Sequence, residues 1–309
     1  MLEASYRRPP PLSLGLKFAR DGATGSGVVA CCVCALGPRG IESRNRRVVG
    51  CKHRRVMSPV AIVTASDSGI GQESAKELAE NGFDVGITYN RDEAGANETL
   101  QAVRAAGRRG EVRHMNLTEL PGAAGAIDEL ADSLGGVNVL VNNAGSGDPT
   151  GDFLKLSYEE WTEIISINLS GAFLCAQAAA RKMVEAGNGG RIVNITSVHE
   201  HVPRVGASAY CSSKGGLGML TKVMAMELAE YGILVNAVGP GEISTPMTGA
   251  EDEDPMTIER PNLPLGRPGH AREIAAWVAF LASDKASYAT GASIVVDGGL
   301  TLMAAELSS

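Results

Sequence analysis

Tyr210 and Lys214 are the two residues of this sequence whose types and spacing first suggest chemistry. They stand four positions apart in the stretch Ser-Ala-Tyr-Cys-Ser-Ser-Lys, and on a helix that spacing puts both side chains on one face, a single turn apart. A free phenol, with a pKa of about 10, is a poor acid-base catalyst at neutral pH. A neighbouring ammonium favours the phenolate. We therefore expect Lys214 to lower the pKa of Tyr210 and make it an acid-base group.

Ser197 is the third residue of this candidate site. It follows Arg191–Thr196, an apolar run that has the composition of a buried strand. If this strand ends where the helix carrying Tyr210 begins, then a hydroxyl, a phenol and an ammonium meet at one point. The pattern Tyr-x-x-x-Lys occurs by chance in many proteins, so its interpretation depends on the elements around it.

A strand, a glycine-containing turn and a helix follow one another near residue 60. The apolar run Pro59–Thr64 precedes the turn, and an amphipathic helix pattern then continues to about Asn81. Glycines let the backbone approach a pyrophosphate, and a helix N-terminus offers free N–H groups and a positive dipole. The alternative is a tight turn that only packs the helix on the strand. The sequence predicts a dinucleotide site that includes Ser66, Ser68, Gly69, Ile70 and Gly71.

The second expected strand, Phe83–Asn90, ends without the acidic residue that would bind the ribose hydroxyls of NAD(H). Asn90 and Arg91 stand there instead, and a guanidinium suits a 2′-phosphate. We therefore expect both residues to bind cofactor, and NADP(H) to be favoured over NAD(H). The alternative is that Arg91 is a solvated residue at a helix start, masked by Asp92 and Glu93.

Strands alternate with helices along the rest of the chain, which predicts an α/β fold with a single doubly wound (Rossmann) domain and a parallel seven-stranded sheet flanked by helices. Ligands then bind beyond the carboxyl ends of the strands. At two of those ends Asn116 and Leu117 could flank an adenine ring, and Asn143, Ala144 and Gly145 let a flat ring lie against the backbone. The strands are expected at Pro59–Thr64, Phe83–Asn90, Glu111–Met115, Val137–Val141, Arg191–Thr196, Ile233–Val238 and Ser293–Val296.

Charge and cysteine content narrow the class of protein. The first 56 residues hold 11 Lys and Arg against 3 Asp and Glu, a net charge of +8, and the whole chain carries −7, so −15 falls on the remaining residues. A domain that acidic is a poor candidate for binding nucleic acid. Its two cysteines, Cys175 and Cys211, lie in expected helices. Buried free thiols of this kind fit a reducing cytosol, so we expect a cytoplasmic protein.

Residues 1–56 form a basic leader in which no helical or strand period persists. Its apolar run, Val28–Leu36, is too short to span a bilayer, and we expect no membrane segment. The leader is expected to be disordered or to be an extension outside the functional protein, and residues 57–309 to form the Rossmann catalytic domain. A signal-peptide core is one alternative. A metal site is the other, although the spacing matches no zinc pattern; its ligands would be Cys31, Cys32, Cys34, Cys51 and His53.

From about Met57 to its end the chain resembles the short-chain dehydrogenase/reductase family. The motifs, in this order, are Thr64-Ala-Ser-Asp-Ser-Gly69-Ile-Gly71, Asn142-Asn-Ala-Gly145, Asn168, Ser197, Tyr210-x-x-x-Lys214, Pro240-Gly241 and Val296-Asp-Gly-Gly299. Two positions depart from the family pattern, because Ala65 replaces a usual glycine and Asn116 an aspartate often found there. Alanine is expected to fit if the local φ is negative.

The resemblance implies a role for each motif residue. Tyr210 would donate or accept the proton, and Ser197 would orient the substrate carbonyl and stabilise its developing oxyanion. Lys214 would hold the nicotinamide ribose and lower the pKa of Tyr210, while Asn168 would position a water that links Lys214 to solvent. No metal ion is implied. Further cofactor contacts are implied at Pro240, Gly241, Ile243 and Thr245.

The implied activity is hydride transfer between NADP(H) and a small carbonyl or alcohol substrate. The alternatives are the same chemistry with NAD(H), and a cofactor-binding redox sensor without turnover. Ser197-Val-His199-Glu200 looks like the corresponding segment of glucose dehydrogenases in this family, so His199 and Glu200 could contact a sugar, a polyol or a small diketone. A loop turn with solvated polar residues is an equal alternative. Thr245–Pro268, polar and rich in proline, could close over the cofactor as a lid.

The expected helix after Lys214 is apolar on two faces. One face would pack on the sheet, and the second needs a partner. Because family members commonly form dimers or tetramers through this helix, we expect a homo-oligomer, a tetramer or a dimer. The first stripe is Leu217, Leu220, Met224 and Leu228, and the second is Met219, Val223 and Met226.

Overall fold

A computed structural model gives the structure of the protein and describes residues 58–147, 151–249 and 254–303. The leader, residues 1–56, lies outside the described residues, so the predictions for it stay predictions. Residues 250–253 of the expected lid also lie outside the described residues.

Seven parallel strands form one central sheet. They are β1 (Val60–Val63), β2 (Asp84–Tyr89), β3 (Gly110–His114), β4 (Val139–Asn142), β5 (Gly190–Ile195), β6 (Ile233–Pro240) and β9 (Ser293–Val296). Two short strands that lie between β6 and β9 in sequence, β7 (Ile243–Ser244) and β8 (Gly269–His270), are not part of this sheet. The order of the seven strands across the sheet is β3-β2-β1-β4-β5-β6-β9. The order reverses between β1 and β4, the place where a doubly wound sheet opens a crevice for a ligand. The predicted parallel seven-stranded Rossmann sheet is confirmed.

Helices cover both faces of the sheet, which is why its strands are apolar on both sides. The helices are α1 (Gly69–Glu80), α2 (Glu93–Ala105), α3 (Gly125–Leu134), α4 (Tyr158–Ile165), α5 (Ala172–Ala186), α6 (Ser208–Leu228) and α7 (Ala271–Ala282). In β1, Ala61 and Val63 are buried in the core shared with α1, α2 and α7. Ile62 points the other way, into the core shared with α3, α5 and α6.

Three details differ from the elements expected from the sequence. The third helix begins at Gly125 rather than near residue 120, after a single 3-10 turn at Gly122–Ala124. The long helical pattern after Ser157 is divided by a π-helical turn, Ser166–Gly171. A small second sheet pairs β7 (Ile243–Ser244) with β8 (Gly269–His270), and strands of two residues are too short to give a sequence pattern.

Among the described residues, the helical stretch Tyr158–Ala186 is long and apolar enough to cross a membrane by length and composition. Within the fold, however, 44% of its most apolar window is buried. Cys175, Ala176 and Ala179 of α5 lie in the core against the sheet and α3. Packing as a core helix of an α/β domain accounts for this hydropathy.

Candidate active site

Ser197, Tyr210 and Lys214 come together at the carboxyl end of β5. Ser197 lies two residues after that strand, and Tyr210 lies in the first turn of α6. The Ser197 hydroxyl and the Tyr210 phenol share a hydrogen bond. The Nζ of Lys214 lies 5.7 Å from the centroid of the Tyr210 ring and donates 2.9 Å to the carbonyl oxygen of Ile195. The structure thus joins the three side chains that the sequence analysis selected.

Burial dominates the titration of this group. Desolvation raises the pKa of Tyr210, and the hydrogen bond with Ser197 and the charge of Arg204 only partly oppose it. Desolvation also lowers the pKa of Lys214 to about 8. The expected lowering of the Tyr210 pKa is therefore wrong. A one-turn spacing on a helix fixes which groups are neighbours, but the depth of burial decides which charge state is favoured.

Asn168 lies in the π-helical turn, and its side chain holds the loop after β4. Its Oδ1 accepts from the Ser146 backbone N–H at 2.7 Å, and its Nδ2 donates to the Ser146 carbonyl at 2.8 Å and to the Ser213 hydroxyl at 3.0 Å. A Cβ added to Gly145 would lie 3.4 Å from the Lys214 Nζ and 3.5 Å from the Asn168 Oδ1. Gly145 therefore lies close to both of these side chains.

The turn between β1 and α1 is held tightly against the loop after β4. Asn143 donates from Nδ2 to the carbonyl oxygens of Ala65 at 2.9 Å and Thr64 at 3.1 Å. A Cβ on Gly71 would lie 2.1 Å from the Ala65 oxygen, so only glycine fits there. The missing side chain of Gly71 thus lets the turn pack on its own backbone.

Ala65 has a φ of +48°, so the negative φ that would let an alanine fit without strain at this position is not met. Its backbone N–H donates to the Thr88 hydroxyl at 3.0 Å while its carbonyl accepts from Asn143. These two hydrogen bonds hold the residue in the left-handed region, at a cost of roughly 1–2 kcal/mol for a residue with a Cβ.

The other glycine of the turn, Gly69, faces the segment that follows β7. Gly69 has a φ of +53°, and a Cβ there would lie 3.2 Å from the Thr245 Cγ2. Ser68 caps the N-terminus of α1 without a side-chain capping hydrogen bond. Ile70 packs on the core, and Ser66 is fully buried with its hydroxyl donating to the Val63 carbonyl. Of this set, Gly69 is the residue that the structure brings to Thr245.

The loop after β4 and the segment after β6 complete this edge of the sheet. The backbone N–H groups of Asn143 and Ala144 both donate 2.9 Å to the Thr64 hydroxyl, a contact that the sequence analysis did not predict. A Cβ on Gly241 would lie 2.7 Å from the Asp297 Cα, so Pro240 and Gly241 pack closely on the end of β9. Ile243 is buried in the core, and Thr245 is brought to Gly69.

The residues expected at the adenosine end lie at the ends of β2 and β3. Asn90 and Arg91 are exposed, as is the Asp92 side chain, which caps α2 by accepting from the Gly95 N–H at 2.9 Å. Asp67 lies in the adjoining turn, and burial raises its pKa with help from the nearby charge of Asp92. Asp67 was not selected from the sequence, because a carboxylate inside a glycine turn carries no pattern of its own.

Asn116 and Leu117, at the end of β3, differ in what their side chains do. The Asn116 Oδ1 accepts from the backbone N–H of Thr118 at 3.1 Å and its Nδ2 donates to Glu119 at 2.9 Å, so it organises a local turn. Leu117 is 5% exposed and packs against Gly171. Any contact of Leu117 with a ligand would therefore come from its backbone.

The two substrate candidates, His199 and Glu200, separate in space. His199 packs edge-on to Tyr210 with ring centroids 6.1 Å apart, and its Nδ1 bonds the Val202 carbonyl at 2.9 Å. Glu200 is placed elsewhere than the resemblance implied, because its carboxylate is buried against Gly218 of α6 and Ser293 of β9. Across the described residues, no group of three His, Cys, Asp or Glu side chains is arranged to hold a metal ion.

A family model described as enoyl-(acyl carrier protein) reductase matches residues 64–301. The chain belongs to the short-chain dehydrogenase/reductase family. It is similar to the Escherichia coli protein described as uncharacterized oxidoreductase YohF, 51% identical over 80% of this chain and 97% of that one. An acetoin dehydrogenase structure from Enterobacter cloacae is 53% identical, with a TM-score of 0.76 over 81% of this chain and 98% of that one.

Less similar members of the family bear on the expected resemblance to glucose dehydrogenases and on the expected cofactor. Glucose 1-dehydrogenase 2 of Bacillus subtilis is 34% identical over 82% of this chain and 99% of its own length, which confirms the resemblance to glucose dehydrogenases. An Agrobacterium tumefaciens structure with bound NADP is 32% identical, with a TM-score of 0.70 over 80% of this chain and 98% of that one. The protein is an oxidoreductase of a family that binds NAD(P) and acts on alcohol and carbonyl groups of small molecules.

Proposed function

We propose that this oxidoreductase transfers a hydride between NADP(H) and a small carbonyl or alcohol substrate, with Tyr210 as its acid-base group. The observation that carries this proposal is the hydrogen bond between Ser197 and Tyr210 with Lys214 one helical turn away. A substrate carbonyl placed within hydrogen-bond reach of both hydroxyls faces two donors at once.

The protein's own groups move the proton. In the reductive direction the Tyr210 O–H bond breaks and its proton goes to the substrate oxygen as the carbonyl carbon becomes tetrahedral. Ser197 donates to the same oxygen while negative charge develops on it. The phenolate left on Tyr210 is stabilised by the Lys214 ammonium and is reprotonated from solvent, for which Asn168, beside Gly145, would position a water. Because burial raises the pKa of Tyr210, the phenol stays protonated at neutral pH and carries the proton that reduction requires.

The carboxyl edge of the sheet fits a dinucleotide. When bound, the nicotinamide ring supplies or accepts the hydride. Ser68, Gly69 and the first turn of α1 offer backbone N–H groups to the pyrophosphate, and Thr245 borders the same space. Asn143, Ala144 and Gly145 would lie along the cofactor, and Lys214 would hold the nicotinamide ribose. The remaining expected cofactor contacts are Ser66, Ile70, Gly71, Asn116, Leu117, Pro240, Gly241 and Ile243.

Preference for NADP(H) is the finer part of this proposal. Arg91 supports it, because its guanidinium is exposed at the end of β2, and Asp92 is engaged in capping α2. Asp67 opposes it, because a carboxylate that retains its charge would repel a 2′-phosphate. We give more weight to Arg91 because burial disfavours the charged form of Asp67. Asn90, exposed beside Arg91, would add a hydrogen bond.

His199 lies beside Tyr210, where its side chain could contact a part of the substrate next to the reacting carbonyl. Because a backbone carbonyl only accepts, the Nδ1–H of His199 donates to Val202, and the neutral ring then presents Nε2 as an acceptor. An acceptor beside Tyr210 suits a hydroxyl next to the reacting carbonyl, as in α-hydroxyketones, vicinal diols and sugars. The acetoin and glucose dehydrogenase relatives are named for substrates of this kind.

A panel of carbonyl compounds tests the proposed function. NADPH oxidation is followed with acetoin, diacetyl, 2-butanone and glucono-lactone, and NADP⁺ reduction with 2,3-butanediol and glucose. We expect turnover that is highest for compounds with two adjacent oxygens. Tight NADPH binding without turnover on any of them would favour the redox sensor instead.

The second apolar stripe of α6 supports a homo-oligomer, with a tetramer favoured over a dimer. Met219, Val223 and Met226 are 59%, 43% and 82% exposed, and Phe173 of the neighbouring α5 is 42% exposed. A second copy of this helix would cover them. Light scattering at micromolar concentration tests this, and a monomeric mass would contradict it. We also propose a cytoplasmic location, because Cys175 and Cys211 are free thiols.

A further inference from the structure

Glu200 has a buried carboxylate close to the candidate active site but outside it. The residue ends the 3-10 turn Val198–Glu200, which begins directly after Ser197. Its side chain is only 4% exposed. A buried carboxylate is costly unless its oxygens are hydrogen-bonded, so its partners indicate its purpose.

Three elements surround this carboxylate. Its Oε2 accepts from the Ser293 hydroxyl of β9 at 2.9 Å, and its Oε1 lies 3.6 Å from the Nε2 of His201. On α6 its Cδ occupies the space beside Gly218, where an added Cβ would lie 2.2 Å away. Glycine at 218 therefore makes room for the Glu200 side chain.

The positions on α6 show what this arrangement holds. Tyr210, Lys214 and Gly218 follow one another at intervals of four residues, so they lie on one face of the helix. Ser197 bonds Tyr210 near the start of that face, and Glu200 packs on Gly218 about 12 Å further along the axis. The turn is thus attached to the helix at both of its ends.

The turn also holds Ser197 directly. The Ser197 hydroxyl accepts from the His199 backbone N–H at 3.2 Å, within the turn that Glu200 ends. A rotation of the turn would move this donor and with it the Ser197 hydroxyl. Reacting groups must be held to within about 0.5 Å of their productive geometry, so a small rotation is enough to slow the reaction.

We propose that Glu200 is a positioning residue for the reaction, which fixes the Ser197 hydroxyl relative to Tyr210 by anchoring the turn to Ser293 and Gly218. The proposal rests on the proposed function, because it concerns the rate of the step that Ser197 and Tyr210 perform. It assigns Glu200 no contact with substrate or cofactor.

Three single variants test the anchor, with kcat, KM, the NADPH dissociation constant and the melting temperature measured for each. For Glu200→Ala we expect kcat to fall about 10- to 100-fold, as for reacting groups misplaced by up to about 1 Å, with NADPH affinity unchanged within about twofold. Glu200→Gln keeps an oxygen that can accept from Ser293, so it should retain most of the wild-type kcat. Ser293→Ala, a milder change at the same contact, should lower kcat several-fold and leave KM unchanged.

A double variant provides the sharper test. Gly218→Ala alone places a methyl group in the space of the Glu200 side chain and should lower kcat by shifting the turn. In the Glu200→Ala background that space is free, so the same substitution should cost much less, and the two effects should not add.

The outcomes separate this inference from the proposed function. If the wild-type enzyme turns over and Tyr210→Phe does not, but Glu200→Ala and Ser293→Ala keep the wild-type kcat, the positioning role is wrong and the proposed function stands. Glu200→Gln as impaired as Glu200→Ala, or effects of Gly218→Ala and Glu200→Ala that simply add, would also overturn it. No turnover by the wild-type enzyme on any substrate would instead overturn the proposed function.

Discussion

The two ends of the carboxyl edge of the sheet are built differently. At the candidate catalytic end, Ser197, Tyr210 and Lys214 are largely buried and held by hydrogen bonds. At the candidate adenosine end, Asn90 and Arg91 are exposed on the loop after β2. Under the proposed function, the groups that must be placed precisely for the reaction are buried in the fold, and the side chains that would select the cofactor lie at the surface. Substitutions at the two ends should therefore differ in size and in kind.

The largest effect is expected at Tyr210. Tyr210→Phe removes the proton that goes to the substrate oxygen, so turnover should fall by about 10²-fold or more and become undetectable in a standard assay. NADPH binding, measured by fluorescence titration, should be nearly unchanged. Tyr231→Phe is the matched control, because Tyr231 is exposed in the turn that follows α6. Wild-type turnover by Tyr210→Phe would remove the mechanism.

The next largest effect is expected in the pH dependence of kcat/KM, because Lys214 is buried at the candidate catalytic end. The pKa of Lys214 is lowered to about 8, so its ammonium loses a proton as pH rises through that value. The cation that stabilises the Tyr210 phenolate is then lost, and kcat/KM for carbonyl reduction should decline above pH 8. Below that value Lys214 is charged and Tyr210, with its raised pKa, is protonated, so both are in the form that reduction needs.

Lys214→Arg sharpens this expectation. A guanidinium stays protonated throughout the accessible range, so any activity that remains should lack the decline above pH 8. Circular dichroism at each pH serves as the control for folding. An identical decline in the arginine variant would assign the titration to another group.

A smaller effect is expected at the adenosine end. Arg91→Ala removes a charge-assisted contact to a 2′-phosphate, which is typically worth about 1.5–3 kcal/mol, so KM for NADPH should rise at least about 10-fold while KM for NADH is unchanged. Arg104→Ala, exposed in the last turn of α2, is the matched control. Equal effects on both cofactors would contradict the preference for NADP(H).

An effect of opposite sign is expected at Asp67. Asp67→Asn removes a carboxylate that would repel the 2′-phosphate, so this variant should lower KM for NADPH.

The smallest effect concerns backbone strain at Ala65. Because its φ is positive, Ala65→Gly should stabilise the fold by about 0.5–1 kcal/mol, as measured by urea unfolding. Ala106→Gly is the control, since Ala106 has a φ of −73° and should gain nothing from glycine. A destabilised Ala65→Gly would show that the methyl group contributes packing that outweighs the strain.

The amino-acid sequence was sufficient to predict the fold class and the residues of the candidate catalytic end. Alternating apolar runs and amphipathic helices predict the doubly wound parallel sheet, because both signals are local. The four-residue spacing of Tyr210 and Lys214 predicts that they share one face of a helix. Because Ser197 follows the strand that precedes this helix, the sequence also predicts that its hydroxyl lies near them. These inferences need only the periodicity of a helix and the edge at which parallel strands end.

Tertiary structure decided what depends on depth and on distant neighbours. Whether the Tyr210 pKa falls or rises depends on burial, which no four-residue spacing records. The positive φ of Ala65 is set by Thr88 and Asn143, far away in sequence. Likewise the carboxylate of Glu200, three residues after Ser197 in sequence, is held by Ser293 in the space that the missing side chain of Gly218 leaves. Local pattern selects the residues, and packing between elements fixes their charge states, their strain and the direction in which they point.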